Sequence, residues 1–346
     1  MRPPAPEGWI QRAVHHVSVV DGVEYPEETL VQHISPGAVQ ITDTIKLRGS
    51  RNLAIARDGG LGDLLMLTPT IKVIGEDFPD LVMDLFVNKP FIQLFENNPY
   101  IHEVRALTSY VPLAYDAVVD LNHFVEKSPD SSVVDRVSLF AQAFGIKLQD
   151  GSIDYYMTDE ERAWGEQWVE DQGLADRRWC PMGIFATDPR RSWPEGHALE
   201  LGQLLLDAGV VPVYMHNDEA LLHANFDGLD EVRYLVGMTT RQKAAVLRLA
   251  RVVVSTDTGV YHLAAAGRGD AVYPVIVVLF GLIAPHLRTK WYKNMLSLTA
   301  DCDCVPCNEN TYMLPQCHRQ CMTELTPELV FQRVMLFMGE VATHDE

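Results

Sequence analysis

The sequence has no apolar run long enough to cross a membrane. Its longest, Ala271–Ala284, is interrupted by Pro274, whereas a spanning helix needs roughly 20 apolar residues. The first ten residues, MRPPAPEGWI, also lack the apolar core of a signal peptide. We therefore expect a cytoplasmic protein, and peripheral contact with a membrane surface stays open.

Positive charge is scarce. The 346 residues include 28 lysines and arginines against 47 aspartates and glutamates, which gives a formal net charge of −19. This balance opposes non-specific attraction to nucleic acid or anionic lipid, although the net charge does not exclude a local basic cleft. The apolar fraction of 47% and the charged fraction of 22% are typical of a globular protein, and the length allows two domains.

Two motifs of nucleotide chemistry are missing. The glycine-rich stretch Arg57–Asp63 would need glycine at position 65 to form the G-x-G-x-x-G dinucleotide fingerprint, and Leu65 stands there. A nicotinamide-dependent dehydrogenase is therefore disfavoured. The match of Asp301-Cys-Asp303 to the metal-binding D-x-D motif falls in a cysteine cluster, so we assign it no role beside a diphosphate.

The sequence contains two strand-turn-helix corners. In one, Val252–Ser255 is predicted to be a buried strand, Thr256–Gly259 a polar turn, and the following stretch a helix that Gly267 can end. The unpaired N–H groups and the dipole at such a helix start bind an anion, usually a phosphate. The alternative is an ordinary loop in which Asp257 or Thr258 only caps the helix.

The other corner begins with the predicted strand Asn52–Ala56 and passes through a glycine-rich turn into an apolar helix. Gly59, Gly60 and Gly62 are expected to allow positive φ and the close approach of a ligand to the backbone. Asp63 would then lie in the first turn of the helix, at the mouth of the sheet. Simple capping by Asp63 is the alternative.

Strands and helices alternate along the rest of the chain. The predicted strands are 82–87, 116–120, 183–186, 210–215, 233–235 and 275–280, and the predicted helices are 91–97, 131–145, 158–173, one from Glu195, 241–250 and Pro327–Met338. This alternation predicts an α/β fold with doubly wound parallel sheets, which bind ligands at the carboxyl ends of their strands. We expect an N-terminal extension at 1–50, a first domain at 51–175, a second domain at 176–325 with a cysteine-rich loop at 302–321, and a terminal helix at 326–346 that packs across the domains.

Polar side chains follow several predicted strands. Arg190 and Arg191 come after the first strand of the second domain and suit phosphate recognition, with solvated loop charges as an equal alternative. Asn217 and Glu219 follow the next strand, where an acidic side chain can accept hydrogen bonds from ribose hydroxyls. In the first domain, His123 falls at the same edge as Asp63, and a structural histidine is the alternative.

Five of the six cysteines lie within residues 302–321. The spacing of Cys304, Cys307, Cys317 and Cys321 is compatible with a structural zinc ion, which such clustering in a cytoplasmic chain favours over disulfides. Free or paired thiols are the alternative.

Several motifs together resemble the heptosyltransferase-like glycosyltransferases of family nine. They are Ile55–Asp63 with the Leu-Leu-Met-Leu-Thr-Pro that follows, Asn98–Val104, Arg191–Pro194, Ser255–Ala266 and Leu279–Gly281. The resemblance covers about residues 51 to 340. It implies the GT-B fold, in which two Rossmann-like domains face a cleft.

The same resemblance implies roles for individual residues. Asp63 would be the general base, and Arg191 would replace a lysine that contacts the donor diphosphate. The candidate donor-binding residues are Gly60, Gly62, Arg190, Asn217, Glu219, Asp257, Thr258, Gly259, His262 and Gly281. After Gly281 the family continues with Pro-Thr-Asp-Pro, whereas this chain has Leu282–Pro285, so selectivity for sugar and base does not carry over.

The predicted reaction is the inverting transfer of a heptose-like sugar from a nucleotide diphosphate sugar to a hydroxyl of a saccharide or lipid-linked acceptor, as in lipopolysaccharide core assembly. It needs a base for the hydroxyl, charge stabilisation for the diphosphate and the exclusion of water, and we expect no metal or other cofactor in catalysis. The alternatives are transfer to a modified DNA base or a protein, and a catalytically silent nucleotide-sugar binding protein.

Overall fold

The computed structural model describes residues 18–20, 23–25, 39–40, 47, 49–122, 124, 128–266, 274–302, 305 and 320–339. The chain divides into two compact units, residues 1–152 and 153–346. Both units are built on parallel sheets, which confirms the predicted α/β class. None of the helices in the described ranges combines the length and the apolar character that crossing a bilayer requires.

The first unit has a five-stranded parallel sheet. Its strands and helices are β1 Ser18–Val20, β2 Val23–Tyr25, β3 Val39–Gln40, β4 Asn52–Arg57, α1 Leu61–Asp77, β5 Val82–Val87, β6 Glu103–Ala106, β7 Ala117–Asp120 and α2 Arg136–Ala143, with 3-10 turns at Lys89–Phe95, Leu107–Ser109 and Pro112–Ala114. The sheet order is β3-β7-β4-β5-β6, while β1 and β2 form an antiparallel hairpin. The central strand β4 is buried over its last five residues, as a parallel strand covered on both faces should be.

Two features of the first unit differ from the sequence prediction. The expected helix at 91–97 is a 3-10 helix at Lys89–Phe95, whose second residue, Pro90, fixes its start. The expected N-terminal extension contributes the edge strand β3, which pairs with Ala117 and Val118 of β7. The sheet of the first unit therefore begins before residue 51.

The second unit has a six-stranded parallel sheet. Its elements are α3 Asp159–Asp171, β8 Arg178–Gly183, a 3-10 turn Pro189–Arg191, α4 Glu195–Asp207, β9 Val210–Met215, α5 Glu219–Phe226, β10 Arg233–Leu235, α6 Thr240–Leu247, β11 Val252–Thr256, α7 Gly259–Ala265, β12 Val275–Phe280, α8 His286–Thr289, β13 Met295–Thr299, α9 Gln320–Thr323 and α10 Pro327–Met338. The sheet order is β10-β9-β8-β11-β12-β13. The order reverses between β8 and β11, where a doubly wound sheet binds its ligand.

The first strand of this sheet lies earlier than predicted. The sequence predicts a strand at 183–186, whereas β8 spans Arg178–Gly183. Pro181 makes the stretch look like a loop, because proline cannot donate to a sheet ladder. The strand tolerates Pro181 because β8 pairs with β11 only at Met182 and Gly183, which follow the proline.

Helix α3 also belongs to the second unit, although the predicted boundary at 175 places it in the first domain. Gly165 of α3 packs so closely on α6 that an added Cβ would lie 2.6 Å from the carbonyl oxygen of Ala245. Arg241 of α6 donates through Nη2 to Glu161 Oε2 of α3 at 2.6 Å. At the other end of the chain, α10 packs on α4, β11 and β12, and its predicted packing across both domains stays a prediction.

Candidate functional site

The carboxylate of Asp63 lies between two buried arginines at the carboxyl edge of the first sheet, which is the edge where the parallel strands end. Arg57 is the last residue of β4, and its Nη2 lies 3.6 Å from Asp63 Oδ2. Arg136, the first residue of α2, donates from Nη1 to Asp63 Oδ1. The Asp63 side chain keeps 20% of its surface exposed. Two guanidinium groups stabilise the ionised carboxylate, so the group that solvent reaches is a proton acceptor.

The position of Arg57 is fixed from several sides. Its Nη1 donates to the carbonyl oxygen of Leu121 at 2.8 Å, and its Cζ lies 5.5 Å from the ring centroid of Phe140. Phe140 follows Arg136 by one turn on α2, so the same face of this helix contacts Arg57 and Asp63. Neither arginine was predicted as a site residue from the sequence. An arginine inside the apolar pattern of α2 was the available signal.

The glycine-rich turn does not use positive φ, which corrects the sequence prediction. Among the glycines of the described ranges that adopt positive φ, Gly59, Gly60 and Gly62 do not appear, and Gly60 has φ −74°. Gly59 matters because an added Cβ would lie 3.0 Å from Asp63 Cβ and 3.1 Å from Arg57 Nε. Because Gly59 has no side chain, the backbone of the turn can lie close to both Asp63 and Arg57.

Two asparagines hold the same turn. Asn88 follows β5 and donates from Nδ2 to Asp58 Oδ1, while Asn122 follows β7 and accepts from the Asp58 N–H. The ends of three neighbouring strands are thus tied together around residue 58. His123, a candidate from the sequence, lies outside the described residues.

In the second unit, the two adjacent arginines have different partners. Arg191 donates from Nη1 to the backbone oxygen of Asp257 at 2.8 Å, and the same nitrogen lies 3.8 Å from Asp257 Oδ2. Arg190 instead turns to Asp188, with Nη2 2.6 Å from Oδ2. The hydrogen bonds from Arg190 hold the pKa of Asp188 below its usual value, although partial burial acts in the opposite direction. Arg191 therefore joins the loop after β8 to the turn after β11, at the reversal of the sheet.

The turn after β11 buries its polar groups. Asp257 is only 5% exposed, and Tyr261 donates its hydroxyl to Asp257 Oδ1 at 3.3 Å. Within the described part of the chain, Asp257 Oδ2 has no hydrogen-bond donor, so a buried acceptor is available to a ligand. Thr258 caps α7 through the Val260 N–H at 3.4 Å, so the capping interpretation also holds for this residue. Gly259 begins the helix.

His262 is buried beside this turn. Its Nδ1 shares a hydrogen bond with the hydroxyl of Tyr292, and its ring centroid lies 3.9 Å from that of Tyr261. Burial, followed by the charge of Asp257, raises the pKa of Tyr261 well above its usual value. Tyr261 therefore stays a neutral donor to Asp257.

Three further candidates have other partners. Asn217 accepts a hydrogen bond from Lys243 Nζ at 2.6 Å. Glu219 lies in the first turn of α5, with an exposed carboxylate 3.8 Å from His223 Nε2. Gly281 is packed under α9, since an added Cβ would lie 2.7 Å from the Sγ of Cys321, so this glycine has a structural reason to be present.

The predicted zinc site falls mostly outside the described residues. Cys304, Cys307 and Cys317 lie there, while Cys321 is buried on α9. The zinc interpretation stays a prediction.

The model of glycosyltransferase family 9 (heptosyltransferase) matches residues 114–318. This stretch is more than half of the chain and includes Arg191 and the turn at Asp257. The chain belongs to glycosyltransferase family 9. The predicted family is thereby confirmed, while Asp63 lies before the matched residues.

Individual relatives are more distant. Lipopolysaccharide heptosyltransferase 1 of Pseudomonas aeruginosa is 27% identical over 179 residues, which are 50% of this chain and 46% of that protein. The chain spans about half the length of the curated relatives that it matches.

Solved structures show the fold of this family 9 member. A family 9 glycosyltransferase from Veillonella parvula has a TM-score of 0.67 at 14% identity, with 83% of this chain and 97% of that chain covered. The E. coli heptosyltransferase WaaC, solved with ADP, has a TM-score of 0.59 at 19% identity, with 82% and 98% covered. These likenesses confirm the predicted GT-B type with two Rossmann-like domains.

Proposed function

We propose that this chain is a glycosyltransferase that moves a heptose-like sugar from a nucleotide diphosphate sugar to a hydroxyl of a saccharide or lipid-linked acceptor, with inversion and without a catalytic metal. The observation that carries the proposal is the solvent-reached carboxylate of Asp63, held by Arg57 and Arg136 at the carboxyl edge of a parallel sheet. Family membership supports it, as do the names of the curated relatives, which are lipopolysaccharide heptosyltransferases.

Asp63 would act as the general base. A base must be ionised, reachable by the acceptor and fixed in direction. Asp63 is partly exposed, and Arg136 and Arg57 hold its two oxygens in place. The two cations also weaken it as a base, so it would take the proton only as the hydroxyl oxygen begins to bond to the anomeric carbon.

Arg191 would hold the donor diphosphate. A guanidinium group matches phosphate oxygens in a bidentate way, and the N–H of Gly259, the first residue of α7, would add a donor at the start of that helix. The Thr258 N–H is already used, since it donates to the carbonyl oxygen of Thr256 at 2.7 Å, and the Thr258 side chain caps the helix. His262 would complete this donor side. The buried oxygen Oδ2 of Asp257 would accept a hydrogen bond from a hydroxyl of the bound sugar.

The reaction would be a single displacement. The acceptor oxygen forms a bond to the anomeric carbon on the face opposite the diphosphate, and the bond from that carbon to the phosphate oxygen breaks. Its electron pair leaves with the diphosphate, whose charge Arg191 stabilises, while the proton of the hydroxyl passes to Asp63. One displacement inverts the anomeric centre. Arg191 and the N–H of Gly259 would supply the charge stabilisation that a metal supplies in other transferases.

The acceptor and the cellular location are also part of the proposal. The names of the curated relatives, which are lipopolysaccharide heptosyltransferases, support a lipopolysaccharide acceptor, and a lipid-linked acceptor would bring this chain to the cytoplasmic surface of a membrane. The net charge of −19 supports a partner other than nucleic acid.

The test is a screen of the purified full chain with ADP-, GDP- and UDP-sugars. A donor should raise the melting temperature, and incubation with a saccharide acceptor in EDTA should give a product whose anomeric configuration, read by NMR coupling constants, is opposite to that of the donor. Binding without transfer to any acceptor would favour a silent binding protein. Retention, or full loss of transfer in EDTA with recovery on adding a metal, would contradict the proposed mechanism.

A further inference from the structure

The hydroxyl of Tyr292 lies against the imidazole ring of His262. Tyr292 follows α8, and His262 is the fourth residue of α7. Nδ1 of the histidine shares a hydrogen bond with the tyrosine oxygen, and the two rings meet edge to face, with centroids 5.6 Å apart and planes at 89°. His262 is buried, so its Nδ1 is engaged by a protein partner rather than by water.

Tyr261 fixes the plane of the same imidazole. The ring centroids of Tyr261 and His262 lie 3.9 Å apart. Tyr261 is itself held by Phe280, whose ring centroid lies 5.8 Å away, and by the hydrogen bond from its hydroxyl to Asp257 Oδ1. The backbone oxygen of Asp257 accepts from Arg191. The imidazole therefore belongs to the same contact network as the arginine that would hold the donor diphosphate.

The contact with Tyr292 bears on which nitrogen of the His262 ring carries the proton. A neutral imidazole has one donor nitrogen and one acceptor nitrogen. A phenolic hydroxyl is more acidic than the N–H of neutral imidazole, so the favoured direction of this hydrogen bond is from Tyr292 to Nδ1, which leaves the proton on Nε2. The oxygens of an ionised phosphate only accept hydrogen bonds, so this tautomer can donate to a diphosphate, whereas the other would direct a lone pair at it.

We propose that Tyr292 is a positioning residue: its hydroxyl donates to Nδ1 of His262 and keeps the proton of that ring on Nε2, which donates to the diphosphate of the donor. This inference rests on the proposed function. Tyr292 does not touch the donor, and it acts only through the orientation and the tautomer of the histidine.

Nitrogen-15 NMR of the full chain with labelled histidine rings reads the tautomer directly. Spectra are recorded at pH 8, where an ordinary histidine is neutral, and the spectrum of His262→Gln assigns the signals of His262. Wild type should show a protonated Nε2 and an unprotonated Nδ1, and Tyr292→Phe a mixture of the two tautomers. Tyr234→Phe is the control and should match the wild type, because the Tyr234 hydroxyl donates to Asp227 at 2.8 Å and not to a histidine.

A double-mutant cycle connects the tautomer to the ligand. Calorimetry gives the affinity of wild type, Tyr292→Phe, His262→Gln and the double variant for ADP, GDP or UDP, whichever binds the wild type most tightly. Tyr292→Phe should weaken binding about threefold to tenfold, because only a fraction of the molecules then present the Nε2 donor in the binding orientation. Glutamine has an amide N–H group and no ring nitrogen for Tyr292 to fix, so in the His262→Gln background the same change should alter the affinity less than about twofold.

Tyr292→Phe removes one oxygen atom from a half-buried side chain and should fold. The wild-type spectrum decides the tautomer even without that variant, since a proton on Nδ1 of His262 would overturn the inference. A Tyr292→Phe variant with the wild-type tautomer would overturn it too, as would a loss of affinity that is equal in both backgrounds or absent from both. Each of these results leaves the proposed function standing, whereas a wild type that binds none of the three nucleotides would overturn both.

Discussion

Arg191 donates from Nη1 to the backbone oxygen of Asp257 at 2.8 Å, across the point where the strand order of the second sheet reverses. The Arg191 side chain keeps 29% of its surface exposed, so solvent reaches a side chain that this hydrogen bond holds in place. Its neighbour Arg190 donates hydrogen bonds from Nε and Nη2 to the carboxylate of Asp188. The two adjacent arginines, which have the same expected role from the sequence, therefore have different electrostatic surroundings.

The first prediction compares these two arginines. Arg191→Met should weaken the binding of a nucleoside diphosphate about tenfold to hundredfold, because a charge-assisted hydrogen bond is lost. Arg190→Met should change the affinity less than about threefold, since the Asp188 carboxylate already compensates its charge. Calorimetric titration of both variants measures the difference. Equal losses in the two variants would remove Arg191 from its proposed role.

The second prediction concerns the close contact of Gly75 with Tyr100. A Cβ added at Gly75 would lie 2.8 Å from the Cβ of Tyr100, and Tyr100 is held by Asn98 at its backbone N–H. Gly75→Ala should therefore lower the free energy of unfolding by about 1–3 kcal/mol through overpacking. Gly196→Ala in α4 is the control, because an added Cβ there meets no atom within 4 Å.

Urea denaturation of both glycine variants gives the comparison. The control should be as stable as the wild type or slightly more so, since alanine favours a helix. An unaffected Gly75→Ala variant would show that Tyr100 moves freely, and the motif Asn98–Val104 would then need a function other than packing.

The third prediction uses the pH dependence of the contact between Glu161 and Arg241. Burial, the largest single influence, raises the pKa of Glu161, but the hydrogen bonds from Arg241 and from the Thr158 N–H, together with the charges of Arg241 and Arg162, outweigh it, and the net pKa lies below the usual 4.5. Since the folded-state pKa is lowered, the stabilisation is complete above pH 4.5 and is lost as the pH falls through the lowered value. Glu161→Gln should cost about 1–3 kcal/mol near neutral pH.

Glutamine at position 161 can keep the capping box with Thr158, so the substitution isolates the charge. The difference in unfolding free energy between wild type and variant should shrink at successively lower pH below 4.5. A difference that is the same at every pH would mean that the ion pair contributes nothing that depends on charge.

The fourth prediction concerns Cys180, which lies on β8 with none of its surface exposed. Burial raises the pKa of its thiol to about 12, so at pH 8 about one molecule in ten thousand carries the reactive thiolate. Iodoacetamide should leave Cys180 unmodified in the native chain and label it in guanidinium chloride, as read by peptide mass spectrometry. Labelling under native conditions would show that the core around β8 opens.

The sequence predicted what periodicity and turn chemistry determine. The alternation of apolar strands with amphipathic helices predicted the parallel sheets, and β9, β10 and β12 have the predicted bounds. The predicted position of β8 was wrong, because a strand tolerates Pro181 only where no neighbouring strand needs its N–H, and the sequence does not show which residues of β8 pair with β11. It also predicted positive φ in the glycine turn, whereas Gly59 is required by the closeness of Arg57 and Asp63.

The candidate site was predictable only in part. Asp63, Arg191 and the turn at Asp257 follow strands directly, so local sequence locates them. The partner of Asp63 could not be found in this way, because Arg136 is far along the chain and meets it only through the packing of α2 on α1.

In the proposed reaction Asp63 takes the proton of the acceptor hydroxyl, and a comparison of three proteins decides whether it does. Initial transfer rates and nucleoside diphosphate affinity are measured side by side for the wild type, Asp63→Asn and the exposed control Asp80→Asn, with melting temperatures to confirm folding. If Asp63 is the base, Asp63→Asn lowers the rate by about 10²–10⁴-fold while the affinity stays within about threefold, and Asp80→Asn changes neither. A folded Asp63→Asn variant that transfers the sugar at a rate comparable to the wild type would contradict it.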